Sequence, residues 1–176
     1  VTAVPGPEAQ KWLARAVEVE SMARGGGRFP VVYAAGKGAT VKDVDDNVMI
    51  DLSAGVAVNS VGRVHPRVAE AMKSQIDTLM HAGDLSNVRR TELAERISEI
   101  MPQGLKGNCI TYFTQAGSMA AETALKFIRR VTGRNQIVAF HGAYHGVGTA
   151  SGSLTTGDNY HRGNLSVPGV IHVPYP

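Results

Sequence analysis

Three observations in this 176-residue sequence predict an α/β fold. First, a short β-rich run, Cys109–Phe113, is followed by a Gly117-Ser118 break and then by apolar residues at helical spacing. Second, the apolar run Gln136–Phe140 leads directly into a glycine-bearing loop, His141–Gly146. Third, another strand-like run, Val170–Val173, comes near the end of the chain. Strands alternating with a helix of this length are the pattern of a sheet with helical crossovers.

From the N-terminus, residues 8–22 read as a helix with Trp12, Leu13, Ala16 and Val19 as its apolar positions. Gly25-Gly26-Gly27 breaks it and is expected to be mobile. Val31–Ala35, Thr40–Asp43 and Val48–Leu52 read as strands, the last two flanking an Asp45-Asp46-Asn47 turn. His65-Pro66 opens a helix, because proline suits a first helical turn, with Val68, Met72, Ile76 and Met80 on one face. Residues 87–101 form another, with Leu93, Ile97, Ile100 and Met101 expected to face a core. In the next helix Ala120, Ala124, Phe127, Ile128 and Val131 share a face. Arg129 and Arg130 suit the negative end of its dipole, and Gly133 stops it. The division expected is residues 1–60 as an N-terminal helix and small β-meander lobe, and residues 61–176 as the first part of a larger domain.

Ser118 is expected as the N-cap or a first-turn residue of its helix. The unpaired N–H groups there, beside a glycine and a hydroxyl, make an anion site of phosphate size. Ligands of parallel α/β sheets bind at the C-terminal ends of strands. Gly117-Ser118 and Tyr144-His145 both follow such ends. A tyrosine there can lie flat on an aromatic ligand, and a histidine can hydrogen-bond or stack. A phosphorylated aromatic cofactor needs both features.

Composition narrows the classes. Hydrophobic residues at 43% suffice for a core, and 20 glycines fit a loop-rich α/β chain. A net charge of +3 without a block of like charges leaves Arg89-Arg90 and Arg129-Arg130 as solvated helix faces, so no nucleic acid is expected. The single cysteine, Cys109, offers no disulfide framework and reads as a small core residue. No apolar run is long enough to span a membrane and no signal-peptide pattern opens the chain, so a cytoplasmic location is expected. His141 and His145 are spaced i, i+4 but sit in a glycine-bearing loop, which argues against a helical metal pair. The turn at Gln115–Ala120 lacks the three glycines of a dinucleotide fingerprint. Gly36–Thr40 has the wrong spacing for a P-loop, and Ser118 lacks the G-x-S-x-G of a hydrolase elbow.

Taken in order, several segments resemble the class III (ornithine/4-aminobutyrate type) aminotransferases, which use pyridoxal 5'-phosphate on the fold-type-I scaffold. Asp43–Asn47 with Ile50-Asp51 is similar to the family's D-x-D-G-N hairpin. Ser53–Asn59 with Gly62 and His65-Pro66 resembles its G-I-A-V-N…G-H-x-H-P segment. Gly117-Ser118 with Ala120 and Glu122 resembles its G-[ST]-E-A-x-E turn. Thr132-Gly133-Arg134, Phe140–Gly146 and Pro168-Gly169-Val170 complete the set, which covers roughly residues 30–176. Met119 stands at a usual Glu, Arg63 at a frequent His, Asp46 at the hairpin Gly and Val147 at a common Arg. Aspartate tolerates left-handed geometry better than most residues.

The resemblance implies an N-terminal segment and the first part of a large mixed-sheet cofactor domain. It implies that Gly117 and Ser118 bind the cofactor phosphate, that Tyr144 stacks on the pyridine ring with His145 beside it, and that Val56, Val58 and Asn59 line the substrate entrance. It implies transfer of an amino group, often from an ω-position, to a keto acid such as 2-oxoglutarate or pyruvate, within a homodimer. The alternatives are an aminomutase or amino-acid racemase of the same family, or a non-catalytic chain that folds and binds a partner. The family's Schiff-base lysine and the aspartate that pairs with the ring nitrogen lie well past the Y-H-G loop. Lys11, Lys37, Lys42, Lys73, Lys106 and Lys126 match neither role. No catalytic residue is therefore expected within the chain, which reads as the N-terminal part of a longer enzyme and is expected to be inactive alone.

Overall fold

A computed structural model describes residues 3–21, 29–157 and 165–176. The expected mobile Gly25-Gly26-Gly27 lies outside them. The chain divides into two compact units, Val1–Leu85 and Ser86–Pro176, whereas the lobe division expected above was placed at residue 60.

The first unit contains helix α1 (Pro7–Val19), strands β1 (Tyr33–Lys37), β2 (Thr40–Asp43) and β3 (Val48–Ile50), the four-residue turn α2 (Ala54–Ala57) and helix α3 (Pro66–Thr78). The strands form an antiparallel meander in the order β1-β2-β3, with Lys37 opposite Thr40 and Thr40 opposite Ile50. Buried Asp43 builds the β2–β3 turn. Its carboxylate accepts the N–H groups of Asp45 (2.9 Å) and Asn47 (2.8 Å) and the Asn47 side-chain amide (2.8 Å). Asp46 in that turn has φ 67°, the left-handed geometry that a glycine would adopt freely. Asp45 turns away to cap α1. The N-cap of α1 is Gly6, which has no side chain, and the two Asp45 oxygens accept from Glu8 N and Ala9 N at 2.8 Å each.

The second unit contains α4 (Val88–Ile100), α5 (Gly117–Thr132), β4 (Ile137–Phe140), α6 (Thr149–Leu154) and β5 (Val170–Val173). Asn87 caps α4 through its Oδ1, which accepts from Arg89 N at 2.9 Å. Gly133 ends α5 with φ 68°. Strands β4 and β5 pair in parallel, with Ile137 opposite Val170 and Phe140 opposite Val173, and α6 lies between them in sequence. Helix α6, absent from the sequence-based expectation, packs against α5 and β5 and buries Ser151, Gly152, Ser153 and Leu154.

Two expectations are corrected. Cys109–Phe113 forms no strand: among the described residues none pairs with it, and Ile110 is fully exposed. A β-rich composition makes a strand only where a neighbouring strand takes up its N–H and C=O groups. The apolar stripes of α3 and α4 are real but uncovered, with Met72 61% and Ile100 80% exposed. Among the described residues the buried apolar ones are Ala9, Val41, Ala139 and Leu154. Helical periodicity marks which side of a helix is apolar, not whether this chain contains the surface that covers it.

Candidate functional site

In the second unit the N-cap of α5 is Ala116, so Gly117 and Ser118 are the first two helical residues. Ser118 is therefore a first-turn residue and not the cap. Ala116 offers no capping oxygen, and Ala120 N is the first amide of this turn to bond back, to Ala116 O at 3.0 Å. Among the described residues, no acceptor meets the N–H groups of Gly117, Ser118 or Met119, and the Ser118 hydroxyl makes no hydrogen bond. These are the orphan donors of a helix start, at the positive end of a 16-residue helix.

The loop 141–148 follows β4, and its Gly146 lies against this turn. Gly146 is buried with φ +123°, and a Cβ placed there would collide with the Ser118 side chain and come within 2.9 Å of Ser118 Cα. Only glycine permits that approach. Tyr144 is 61% exposed and His145 is exposed as well. His141 does not join His145; its ring stacks on His172 of β5 at 5.7 Å, and His172 Nε2 lies 3.3 Å from Leu154 O. Among the described residues no group of three His, Cys, Asp or Glu side chains could hold a metal ion.

Sequence reasoning missed the residues that shape this loop. Thr155, completely buried, accepts His145 N at 2.9 Å and reaches Gly146 O at 2.8 Å. Thr156 accepts Gly142 N at 2.5 Å. Glu122 Oε1 accepts Ala150 N and Ser151 N, both at 2.9 Å, and the Ser151 hydroxyl at 3.1 Å. Glu122 was singled out only as the last residue of the G-[ST]-E-A-x-E turn, with no part in this loop, and for the threonines the signal available was the hydroxyl-rich run Ser151–Thr156 shortly after Y-H-G.

Val56, Val58 and Asn59 belong to the first unit. All four residues of α2 have positive φ: Ala54 47°, Gly55 63°, Val56 63° and Ala57 63°. This is a left-handed turn, closed by Ala57 N to Ser53 O (2.8 Å) and Asn59 N to Ala54 O (2.9 Å). It leaves Val56 and Val58 about as exposed as side chains become, at 85% and 86%. Asn59 lines a groove of about 380 Å³ with Tyr33, Gly36 and Arg63. Arg63 is fixed there by Asp51 at 2.7 Å and by the Tyr33 ring, 5.3 Å from its guanidinium carbon. The Ser53 hydroxyl (2.8 Å), opposed by burial and aided by Arg63 and Ser53 N, holds the Asp51 carboxyl below its ordinary value.

A family model described as aminotransferase class-III matches residues 21–176. The chain belongs to the class-III aminotransferases. The acetylornithine aminotransferase of Methanothermobacter thermautotrophicus is 38% identical over 150 residues, which cover 84% of this chain and 37% of that protein. The alanine/serine racemase of Pyrococcus horikoshii is 35% identical over 176 residues, 98% of this chain and 36% of that protein. A solved ornithine aminotransferase from Toxoplasma gondii, with pyridoxal phosphate at partial occupancy in its active site, matches with a TM-score of 0.81 at 25% identity. That match covers 95% of this chain and 40% of the other. The class-III chain thus spans little more than a third of its curated relatives, and its fold is that of their N-terminal part. The family's cofactor is pyridoxal 5'-phosphate. The unpaired amides and hydroxyl at the start of α5 fit a phosphate group by charge and donor count. Among the described residues no helix is long and apolar enough to cross a membrane.

Proposed function

We propose that this class-III chain serves a pyridoxal-phosphate-dependent transamination, moving an amino group, often from an ω-position, to a keto acid such as 2-oxoglutarate or pyruvate. The observation that carries the reading is the unbonded first turn of α5 held against Gly146 of the Y-H-G loop. Gly117 N–H, Ser118 N–H and the Ser118 hydroxyl hold the phosphate. The Tyr144 ring covers the pyridine face, with His145 beside it, and Val56, Val58 and Asn59 line the substrate entrance. When bound, pyridoxal phosphate supplies an electron sink for bond breaking next to the substrate nitrogen. The residues of this chain bind and orient it and keep water from one face. A homodimer and a cytoplasmic location belong to the same reading.

The test is visible absorption of the protein at its full natural length: a bound-cofactor band is expected, and a colourless protein that added pyridoxal phosphate cannot reconstitute would sink the proposal. The 35% identity to a racemase over 98% of this chain keeps a second reading in view. Amino-donor screening with 2-oxoglutarate and pyruvate separates the two, since loss of substrate chirality without net amino transfer marks a racemase.

A further inference from the structure

Helix α6 begins at Gly148, an N-cap with no side chain of its own. A Cβ there would stand 2.6 Å from Glu122 Oε1, so the Glu122 carboxylate occupies the place an N-cap side chain would fill. It comes from α5, 28 residues earlier, and takes the α6 amides of Ala150 and Ser151. Ser151 completes the exchange: its hydroxyl donates to Glu122 and accepts Gly148 N at 3.1 Å. At the other end of α6, the Thr155 hydroxyl accepts His145 N and donates to Gly146 O at 2.8 Å or Ser151 O at 3.0 Å. Thr156 N donates to Ala143 O at 3.0 Å. The backbone from Gly142 to Gly148 is therefore tied at several points to α6 and its C-terminal residues, and α6 is tied to α5 by one carboxylate.

We propose that Glu122, Ser151 and Thr155 form a positioning clamp that sets the Tyr144–Gly148 loop against the first turn of α5. None of the three touches the cofactor. They act through the backbone of His145, Gly146 and Gly148, and so fix the angle at which Tyr144 meets the pyridine ring. The proposal rests on reading the site as a pyridoxal phosphate cradle. Its physical basis is that a polar group taken out of water and deprived of its partner is costly, so the part-buried His145 N–H and the buried Gly146 C=O hold one arrangement only while the Thr155 hydroxyl is present.

The experiment uses the full-length protein with Thr155→Val, Thr155→Ser and Glu122→Gln. Pyridoxal phosphate is titrated into each apoprotein, and visible circular dichroism is measured per bound cofactor at saturation. Thr155→Val should weaken binding about tenfold and reduce the dichroism of the cofactor that does bind. Thr155→Ser should restore both, and Glu122→Gln, which loses only the charge, should weaken binding about threefold. A purely structural role would lower the bound fraction without altering the dichroism per cofactor. Wild-type affinity and dichroism in Thr155→Val, or in Glu122→Gln should Thr155→Val fail to fold, overturns the clamp. Amide exchange in the apoprotein separates this failure from that of the cofactor reading. If the wild type binds no pyridoxal phosphate, the cradle falls; if the His145 amide exchanges no faster in Thr155→Val, the clamp falls.

Discussion

Both units start a helix on a glycine and borrow a carboxylate from elsewhere to cap it: Asp45 caps α1 behind Gly6, and Glu122 caps α6 behind Gly148. They differ in how they handle left-handed backbone. Among the described residues of the second unit, positive φ occurs only at glycines, including Gly133, Gly142 and Gly146. In the first unit it also falls on Asp46, Ala54, Val56, Ala57 and Val64. A β-branched residue in that region is a genuine outlier, and a left-handed turn costs L-residues roughly 1–2 kcal/mol each. The phosphate side of the proposed site is thus built from unstrained backbone, and the proposed substrate entrance from strained backbone. Strain persists where surrounding contacts over-determine it, and here Asp51, Ser53 and Arg63 flank the turn.

This contrast can be broken experimentally. The largest effect is expected at Gly146→Ala in the full-length protein, where a methyl group meets the Ser118 backbone in a disfavoured φ. Pyridoxal phosphate binding should weaken by ~2–4 kcal/mol, read by titration. Unchanged affinity would show that the close approach is not needed. Next, Tyr144→Ala should weaken binding by ~1–3 kcal/mol if its ring stacks on the cofactor; wild-type affinity would refute the stacking role. Opposite in sign, Val56→Gly should stabilise the protein by about 1 kcal/mol in urea unfolding by relieving the left-handed turn. A lower midpoint would mean that the valine side chain contributes more than the strain costs.

Acid sensitivity is the smallest effect and belongs to the first unit. Burial alone would raise the Asp43 carboxyl, but hydrogen bonds from Asn47 and Asp45 outweigh it and hold Asp43, like Asp51, below the ordinary 3.8. As the pH falls, the unfolded chain takes up these protons first. The stability these two groups contribute is therefore whole above that value and is lost as the pH drops through their folded-state values. Asp43→Asn should flatten this dependence in denaturation curves taken between neutral and acid pH; an unchanged slope would assign acid unfolding elsewhere.

Local rules make much of this molecule legible from its residues alone. Pro66 in a first turn, Gly133 as a stop and Asp46 in a left-handed turn all follow from properties of single residues, so the amino-acid sequence is enough to set where one helix starts, where another stops and where that hairpin turns. The ordered motifs are likewise enough for the family and its cofactor. Three features depend on tertiary structure instead. Cys109–Phe113 has β-forming residues but no paired neighbour among the described residues. Ser118 has a capping side chain, yet the chain places Ala116 at the cap and leaves the hydroxyl unbonded. Glu122 and Thr155 act on loop and α6 backbone 9 to 29 residues away in sequence. Pairing, capping and clamping each need two partners brought together across the chain, and local propensity describes only one partner at a time.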